Sequence, residues 1–169
     1  ATLWLVTVIF LFDLLVAEHG WCGHLCPIGA MYGLIGAKSL VKVNVVKQTT
    51  STVFAGIDSG FNHLIRPMFY GATHYIENLS NPEGKKRFYS VVGYICETDT
   101  FASNRQIAEI TEGDILCFHN AGAYCYTMSS NYNSRLRPAE VLWYNGEAHL
   151  IRRAETFDDL VRGQIEIEI

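Results

Sequence analysis

Two short segments of the sequence bring together side chains that could bind or protonate a charged substrate. In residues 95–99, the thiol of Cys96 and the carboxyl group of Glu97 follow an apolar run, and a thiol or a carboxyl group can act as a proton donor. Further upstream, Arg66 and Tyr70 place a guanidinium and a phenol four residues apart, and arginine is a natural bidentate ligand for a carboxylate. A structural explanation stays open, since a small cysteine can simply close a strand ahead of solvated acids.

Residues 122–142 form a third unusual segment, in which small, hydroxyl and amide side chains crowd around Tyr124, Tyr126 and Tyr132. A strand followed by a polar loop would give the same composition, so this segment alone does not define a site. Taken singly, each of the three segments is a weak functional signal.

The elements that must position these side chains have the pattern of short β-strands. Residues 41–45 alternate valine with lysine or asparagine, which is the period-two pattern of a half-buried strand. Asn145-Gly146 is a strong hairpin signal between two further strands. We predict strands at residues 41–45, 53–57, 88–96, 114–118, 140–144 and 147–152. Many short strands with few helices predict a mainly β fold, a barrel or a sandwich of about 120 residues.

Three helical segments are predicted beside these strands. Thr156 and Asp159 form an acidic variant of the capping box that begins a short helix, and Gly163 can end it. A weaker helical turn is predicted over residues 103–110. Residues 3–16 are apolar all round and predict an N-terminal helix, which either inserts into a membrane or packs as a core helix against the rest.

Composition divides the chain near residue 38. Every lysine and arginine lies at Lys38 or beyond, so we predict an apolar helical extension over residues 1–38 and a β-domain over residues 39–169. The net charge of −4 and the lack of a basic stripe argue against a nucleic-acid partner. Five cysteines are an odd number for a disulfide framework, so we expect reduced thiols and a cytoplasmic location for the β-domain.

The segment from about residue 40 to the C-terminus resembles the C-terminal domain of diaminopimelate decarboxylase. The resemblance rests on Asp58-Ser-Gly-Phe-Asn-His-Leu-Ile-Arg-Pro, on Cys96-Glu-Thr-Asp and on the run from Gly122 to Leu142, in the family's order. It implies a Greek-key-like β-barrel of the alanine racemase C-terminal type and a homodimer as the active unit. The implied reaction is the decarboxylation of meso-diaminopimelate to L-lysine in lysine biosynthesis, with pyridoxal 5'-phosphate as cofactor.

The same resemblance implies roles for five residues. Cys96 is the implied proton donor, and so the catalytic residue, while Glu97 is the implied ligand of the substrate's distal ammonium. Arg66 and Tyr70 are the implied ligands of a substrate carboxylate, and Tyr124 is the implied phenol shared between substrate and cofactor. The family's cofactor-binding lysine lies in a separate N-terminal barrel that this chain does not resemble, so we expect the chain to be inactive alone.

Residues 1–43 resemble NapH, the ferredoxin-type membrane subunit of periplasmic nitrate reductase systems. The likeness lies in Cys22-Gly-His-Leu-Cys26-Pro after an apolar run, a spacing similar to the last ligands of a bacterial ferredoxin motif. It implies an inner-membrane location for this segment, and Cys22 and Cys26, with His19 and His24, are candidate metal ligands.

The two likenesses overlap at residues 39–43, which fit either parent. The chain is therefore interpreted as a decarboxylase domain fused to a membrane-derived segment. Two alternatives stay open: a quinol-dehydrogenase or iron–sulfur electron-transfer fragment, and a chimera without function.

Overall fold

The computed structural model describes residues 37–122 and 125–167, and these residues form a mainly β structure. Six strands make one sheet in the order β3-β6-β1-β2-β4-β5, and a separate hairpin contains β7 and β8. The strands are β1 (Ser39–Gln48), β2 (Val53–Ile57), β3 (Ile76–Asn78), β4 (Lys86–Val92), β5 (Thr100–Ala108), β6 (Ile115–Phe118), β7 (Glu140–Tyr144) and β8 (Glu147–Arg152). The helices are α1 (Arg66–Tyr70) and α2 (Phe157–Val161), and Tyr126–Met128 and Tyr132–Ser134 form single 3-10 turns.

The sheet curls into a nearly closed, barrel-like shape around an apolar core. In β1, Val41 and Val43 are buried while Lys42 stays exposed, so the predicted alternation is confirmed for residues 41–43. It fails at Val45, which is 48% exposed because a bulge shifts the register between Val43 and Val45. Neighbouring strands pair antiparallel except β2 and β4, which run parallel. The core residues with almost no exposed surface are Val43, Ala55, Ile57, Tyr89, Val91, Leu116 and Phe118. Their burial supplies the main drive for folding, at about 1.5–3 kcal/mol for each large side chain.

Two side chains bridge the seam between the end strands β3 and β5. The Asn78 amide donates to the main-chain oxygen of Glu109, just beyond β5, over 2.9 Å. Arg105 of β5 donates to the main-chain oxygen of His74, just before β3, over 3.4 Å. These bonds satisfy groups that an open sheet edge would leave unpaired.

The prediction of a helical turn over residues 103–110 is wrong, because residues 103–108 belong to β5 and residues 109–110 follow it without helical structure. A bulge shifts the register between the Tyr89–Arg105 and Val91–Ala102 pairs, and Asn104 within it has φ 48°. The bulge breaks the period-two alternation that would have marked a strand. Strand β4 is also shorter than predicted, ending at Val92, since the chain turns away at Gly93.

The predicted hairpin and the predicted start of the C-terminal helix are confirmed, whereas Gly163 does not adopt the positive φ of a glycine that ends a helix. The β7–β8 hairpin has the predicted bounds, and both Asn145 and Gly146 in its turn have positive φ. Helix α2 begins after Thr156, whose main-chain N–H and hydroxyl both donate to the Asp159 carboxylate. The predicted N-terminal helix lies outside the described residues. Within residues 37–122 and 125–167, no helix has the length and apolar character needed to cross a bilayer.

Candidate functional site

A buried carboxylate holds the loop that presents Cys96 and Glu97. Asp99, only 5% exposed, accepts main-chain hydrogen bonds from Phe61 over 2.6 Å and from Ile95 over 2.8 Å. Burial raises the pKa of Asp99, and the two main-chain donors oppose that shift. The residue that looked like a solvated acid in the sequence is therefore the clamp that joins two loops, and Cys96 and Glu97 extend from it into solvent.

Glycine at position 93 is required by this clamp. A Cβ atom there would lie 2.0 Å from the Asp99 carboxylate and 2.6 Å from the main-chain oxygen of Ser59. The Gly93 N–H also donates to the main-chain oxygen of Asp99 over 2.8 Å. The loop can close on itself only because residue 93 has no side chain.

Helix α1 carries Arg66 and Tyr70 one turn apart, so both lie on the same side of the helix. Pro67 suits the first turn of a helix, where no main-chain N–H is needed, and Gly71 ends the helix with φ 62°. Tyr70 is 45% exposed, which leaves its phenol accessible to a ligand.

His74 anchors the segment that follows α1. Its Nδ1 lies 2.9 Å from the main-chain oxygen of His119, and because a carbonyl only accepts, Nδ1 carries the proton. Burial lowers the pKa of His74, and the nearby positive charge of Arg66 adds to this effect. A neutral imidazole therefore links the segment after α1 to the residue that follows strand β6.

The polar segment that contains the tyrosines docks on the loop between β2 and α1. The main-chain N–H of Ser130 donates to the main-chain oxygen of Asn62 over 2.8 Å, and the Cys125 thiol donates to the main-chain oxygen of His63 over 3.2 Å. His63 Nε2 in turn donates to the main-chain oxygen of Leu136 over 3.0 Å. Burial lowers the pKa of His63, so this histidine acts as a neutral structural bridge.

An arginine–glutamate pair fixes the far end of the same segment. Glu155 accepts from the main chain and guanidinium of Arg137, each over 2.8 Å, and from the Asn131 amide over 2.6 Å. The main-chain N–H of Arg137, with Asn131 and the guanidinium, lowers the pKa of Glu155. The Arg137 guanidinium also donates to Ser129, so both ends of residues 129–137 are held.

Tyr132 joins this segment to the Cys96 loop. Its hydroxyl donates to Glu97 over 2.6 Å, and the Cys96 thiol donates to the other Glu97 oxygen over 3.4 Å. The hydrogen bond from Tyr132 lowers the pKa of Glu97, so this carboxylate is ionised at neutral pH. The Tyr132 ring packs on Phe61 with the ring centroids 5.3 Å apart.

A shallow cavity of about 230 Å³ lies between the Cys96 loop and α1. Glu97 and Thr98 line one side, Met68 and Phe69 of α1 line another, and Phe61 and Ile65 complete the wall. Two of the three sequence segments thus line one concave surface, where Glu97 supplies the negative charge. Residues 122–142 reach it only through the hydrogen bond from Tyr132 to Glu97. Arg66 and Tyr70 belong to the same helix but do not line this cavity.

Sequence reasoning missed two residues that organise the site. Asp99 could be noticed only as part of Cys96-Glu-Thr-Asp, and nothing local indicates that its carboxylate turns inward. Tyr132 stood among the crowded tyrosines, but no spacing rule ties it to Glu97 across 35 residues. Tyr124, Cys22 and Cys26 lie outside the described residues.

Among the described residues, no lysine lies beside the Cys96 loop as a covalent anchor for pyridoxal phosphate. Lys47, Lys85 and Lys86 lie at the end of the sheet away from Cys96, and Lys42 contributes its main chain to the contact with Asp58. Lys38 acts electrostatically on Cys117, on the opposite side of β1 from β2. Among the described residues, no three Cys, His, Asp or Glu side chains gather to hold a metal ion.

Comparison with known families defines the class of protein. The family described as the C-terminal sheet domain of pyridoxal-dependent decarboxylases matches residues 38–122. The chain belongs to this family. Residues 1–45 also match the family described as a 4Fe-4S binding domain, so residues 38–45 are common to both matches.

Among members of the family, the chain is similar to diaminopimelate decarboxylases. It is 49% identical to the enzyme of Methanothermobacter thermautotrophicus over 127 residues, which are 74% of this chain and 29% of that protein. It is 43% identical to the enzyme of Aquifex aeolicus over 129 residues, or 76% of this chain and 31% of the relative. The chain thus spans about 30% of the length of the curated relatives it matches.

Solved structures show the same similarity. A crystal structure from Aquifex aeolicus superposes with a TM-score of 0.74 and 42% identity, covering 77% of this chain and 32% of that one. Diaminopimelate decarboxylase from M. jannaschii in complex with L-lysine gives a TM-score of 0.73 at 37% identity, covering 77% of this chain and 30% of that one. The mainly β, barrel-like fold predicted for the β-domain is therefore confirmed.

Proposed function

We propose that residues 39–169 supply the substrate-contacting part of a diaminopimelate decarboxylase that converts meso-diaminopimelate to L-lysine and carbon dioxide. The observation that carries this proposal is the place of Glu97, which lines a cavity with helix α1 and accepts hydrogen bonds from Cys96 and from the distant Tyr132. Similarity to diaminopimelate decarboxylases over about three quarters of the chain supports the choice of substrate.

Each proposed role is the one that the resemblance to diaminopimelate decarboxylases implies, and it suits the chemistry of the side chain. Glu97 is ionised and exposed, so it can bind a distal ammonium of the substrate. Arg66 can bind a substrate carboxylate through its guanidinium, and Tyr70 can donate a hydrogen bond to the same group. Cys96 holds a proton on Sγ that can replace the carboxylate lost from the α-carbon. Tyr124 is proposed to contact both substrate and cofactor.

Pyridoxal phosphate, when bound, supplies the electron sink for loss of carbon dioxide. The residues of this chain would bind the two charged ends of the substrate, orient its α-carbon and deliver one proton. We further propose a homodimer as the active unit. Exposure of Cys96, Glu97 and Phe69 on one surface supports the idea that this surface faces another subunit.

The test supplies the cofactor-binding N-terminal part of the enzyme as a separate polypeptide. The full chain is mixed with the N-terminal part of the Methanothermobacter thermautotrophicus enzyme, pyridoxal phosphate and meso-diaminopimelate, and lysine and carbon dioxide are measured. We expect activity that neither polypeptide has alone. Replacing Cys96 by alanine should lower the rate about 10²–10⁴-fold, the usual contribution of a positioned proton donor.

The matched control is Tyr75→Phe, which removes an exposed phenol whose ring packs on His119 rather than near Glu97. This variant should keep full activity. Loss of activity in Arg66→Ala, Tyr70→Ala, Glu97→Ala and Tyr124→Ala would support the proposed substrate ligands. Full activity in all four would contradict the assignment of the site.

For residues 1–38 we propose a segment of the NapH type that associates with a membrane and holds metal through Cys22 and Cys26. The match of residues 1–45 to a 4Fe-4S binding domain supports this second function. Anaerobic reconstitution with iron and sulfide should give cluster absorbance that is lost in the Cys22→Ser and Cys26→Ser variants. Absence of bound iron, together with failure to partition into vesicles, would contradict it.

A further inference from the structure

Glu97 receives two hydrogen bonds from different parts of the chain. Tyr132 donates to Oε1 over 2.6 Å and the Cys96 thiol donates to Oε2 over 3.4 Å, so each oxygen has one internal donor. A carboxylate offers about four lone-pair sites, so roughly two remain for a ligand. The arrangement is therefore a phenol, a carboxylate and a thiol in sequence, with the carboxylate still able to bind a cation.

The phenol of Tyr132 is held in place independently of Glu97. Its ring packs on Phe61, which is itself tied to the Asp99 clamp through its main-chain N–H. The preceding residue, Asn131, donates its amide to Glu155 over 2.6 Å. Both side chains are exposed, Tyr132 by 42%. The tyrosine has a ring contact that does not depend on Glu97, so we take it as the partner that holds the carboxylate.

We propose that Tyr132 is a positioning residue that holds the Glu97 carboxylate against the Cys96 thiol, so that the thiol keeps its proton until the substrate takes it. The proposal deepens the proposed function and rests on it for the reaction served. A thiol that donates to a fixed carboxylate is stabilised, whereas the thiolate formed from it would face a like charge. When the proton leaves Sγ, the bonding electron pair stays on sulfur, and solvent then returns a proton to the thiolate.

The groups that face this arrangement are few. Glu97 and Tyr132 interact with each other. Among the described residues, the other titratable groups that interact with either of them are Cys96 and Asp99. Asp99 is turned inward by its two main-chain donors, so it does not compete for the thiol. Removing the Tyr132 hydroxyl therefore changes one contact at Glu97 and leaves the loop clamp intact.

The first test measures Cys96 alkylation in the full chain and needs no decarboxylase activity. Iodoacetamide is added at pH 8, and modification is followed by mass spectrometry of the tryptic peptide of residues 88–105, in which Cys96 is the only cysteine. Tyr132→Phe keeps the ring that packs on Phe61 but frees Glu97 to rotate away. Because only the thiolate reacts, we expect Cys96 in Tyr132→Phe to be alkylated at least about threefold faster than Cys96 in the unaltered chain. Glu97→Gln sets the upper limit, and Tyr75→Phe should match the unaltered chain.

Faster alkylation in Tyr132→Phe, approaching that of Glu97→Gln, supports the proposal. An unchanged or slower rate in Tyr132→Phe overturns it, whatever Glu97→Gln does. Far-UV circular dichroism of both variants checks that the fold is kept.

The second test uses the activity assay with the N-terminal half of the relative. If Tyr132 acts through Glu97, Tyr132→Phe should raise the KM for meso-diaminopimelate about fivefold while lowering kcat less than Cys96→Ala does. Equal kinetic constants in Tyr132→Phe and the unaltered chain would overturn the inference. An assay in which the unaltered chain restores no decarboxylation contradicts the proposed function instead, and the alkylation result then decides the positioning role by itself.

Discussion

Replacing Asp99 by asparagine removes one of the two carboxylate oxygens that accept main-chain hydrogen bonds from Phe61 and Ile95. The amide group that takes its place is a donor, so one buried N–H would face another donor. Leaving such a group unsatisfied costs about 1–3 kcal/mol. We expect Asp99→Asn to destabilise the domain by about 2–3 kcal/mol and Asp99→Ala, which removes both acceptors, by about 3–5 kcal/mol.

These losses are large beside the roughly 5–15 kcal/mol by which domains are stable. Urea unfolding followed by circular dichroism measures them directly. With a urea dependence of about 1–3 kcal/mol per molar, the midpoint for Asp99→Asn should fall by roughly 1–2 M. Glu83→Gln, a matched change in an exposed turn, should leave the midpoint unchanged. A shift below about 0.3 M in both Asp99 variants would refute the role of this carboxylate as a clamp.

Three further predictions concern Gly93, Glu155 and Cys125. Gly93→Ala should cost about 2–4 kcal/mol in urea unfolding because its Cβ would strike the clamp, whereas Gly163→Ala, in open space, should cost less than about 1 kcal/mol. The pKa of Glu155 in the folded state is lowered from its ordinary 4.5. Its contribution to the free energy of unfolding is therefore complete above pH 4.5 and is lost as the pH falls through the lowered pKa. Urea midpoints measured from pH 7 to pH 3 should therefore decline less steeply in Glu155→Gln; parallel curves would contradict this. Cys125 is partly buried, and its burial raises the pKa of the thiol to about 11, so it should react with iodoacetamide much more slowly than exposed Cys96. Equal rates by peptide mass spectrometry would contradict this raised pKa.

Local chemistry in the sequence determined the elements whose geometry is local. Asn145-Gly146 predicts the hairpin with its bounds because both turn residues must adopt positive φ, which asparagine and glycine tolerate. Thr156 and Asp159 predict the start of α2 because their groups satisfy the first turn by themselves. The alternating valines of β1 predict a half-buried strand, since one face must leave water.

Only the tertiary structure decided the features that depend on distant pairing. Strand β5 was predicted as a helical turn because its bulge at Asn104 removes the alternation, and pairing with β4 restores the extended conformation. The parallel alignment of β2 with β4 has no local signal at all.

The candidate site divides in the same way. The residue types of Cys96, Glu97 and Arg66 indicated acid–base and anion-binding chemistry from the sequence, since those functions belong to single side chains. The placement of Cys96 and Glu97 depends on Asp99 bridging 38 residues to Phe61 and on Tyr132 bridging 35 residues to Glu97. A hydrogen bond between such distant groups forms only after the barrel has fixed both loops, so no short-range pattern in the sequence can encode it.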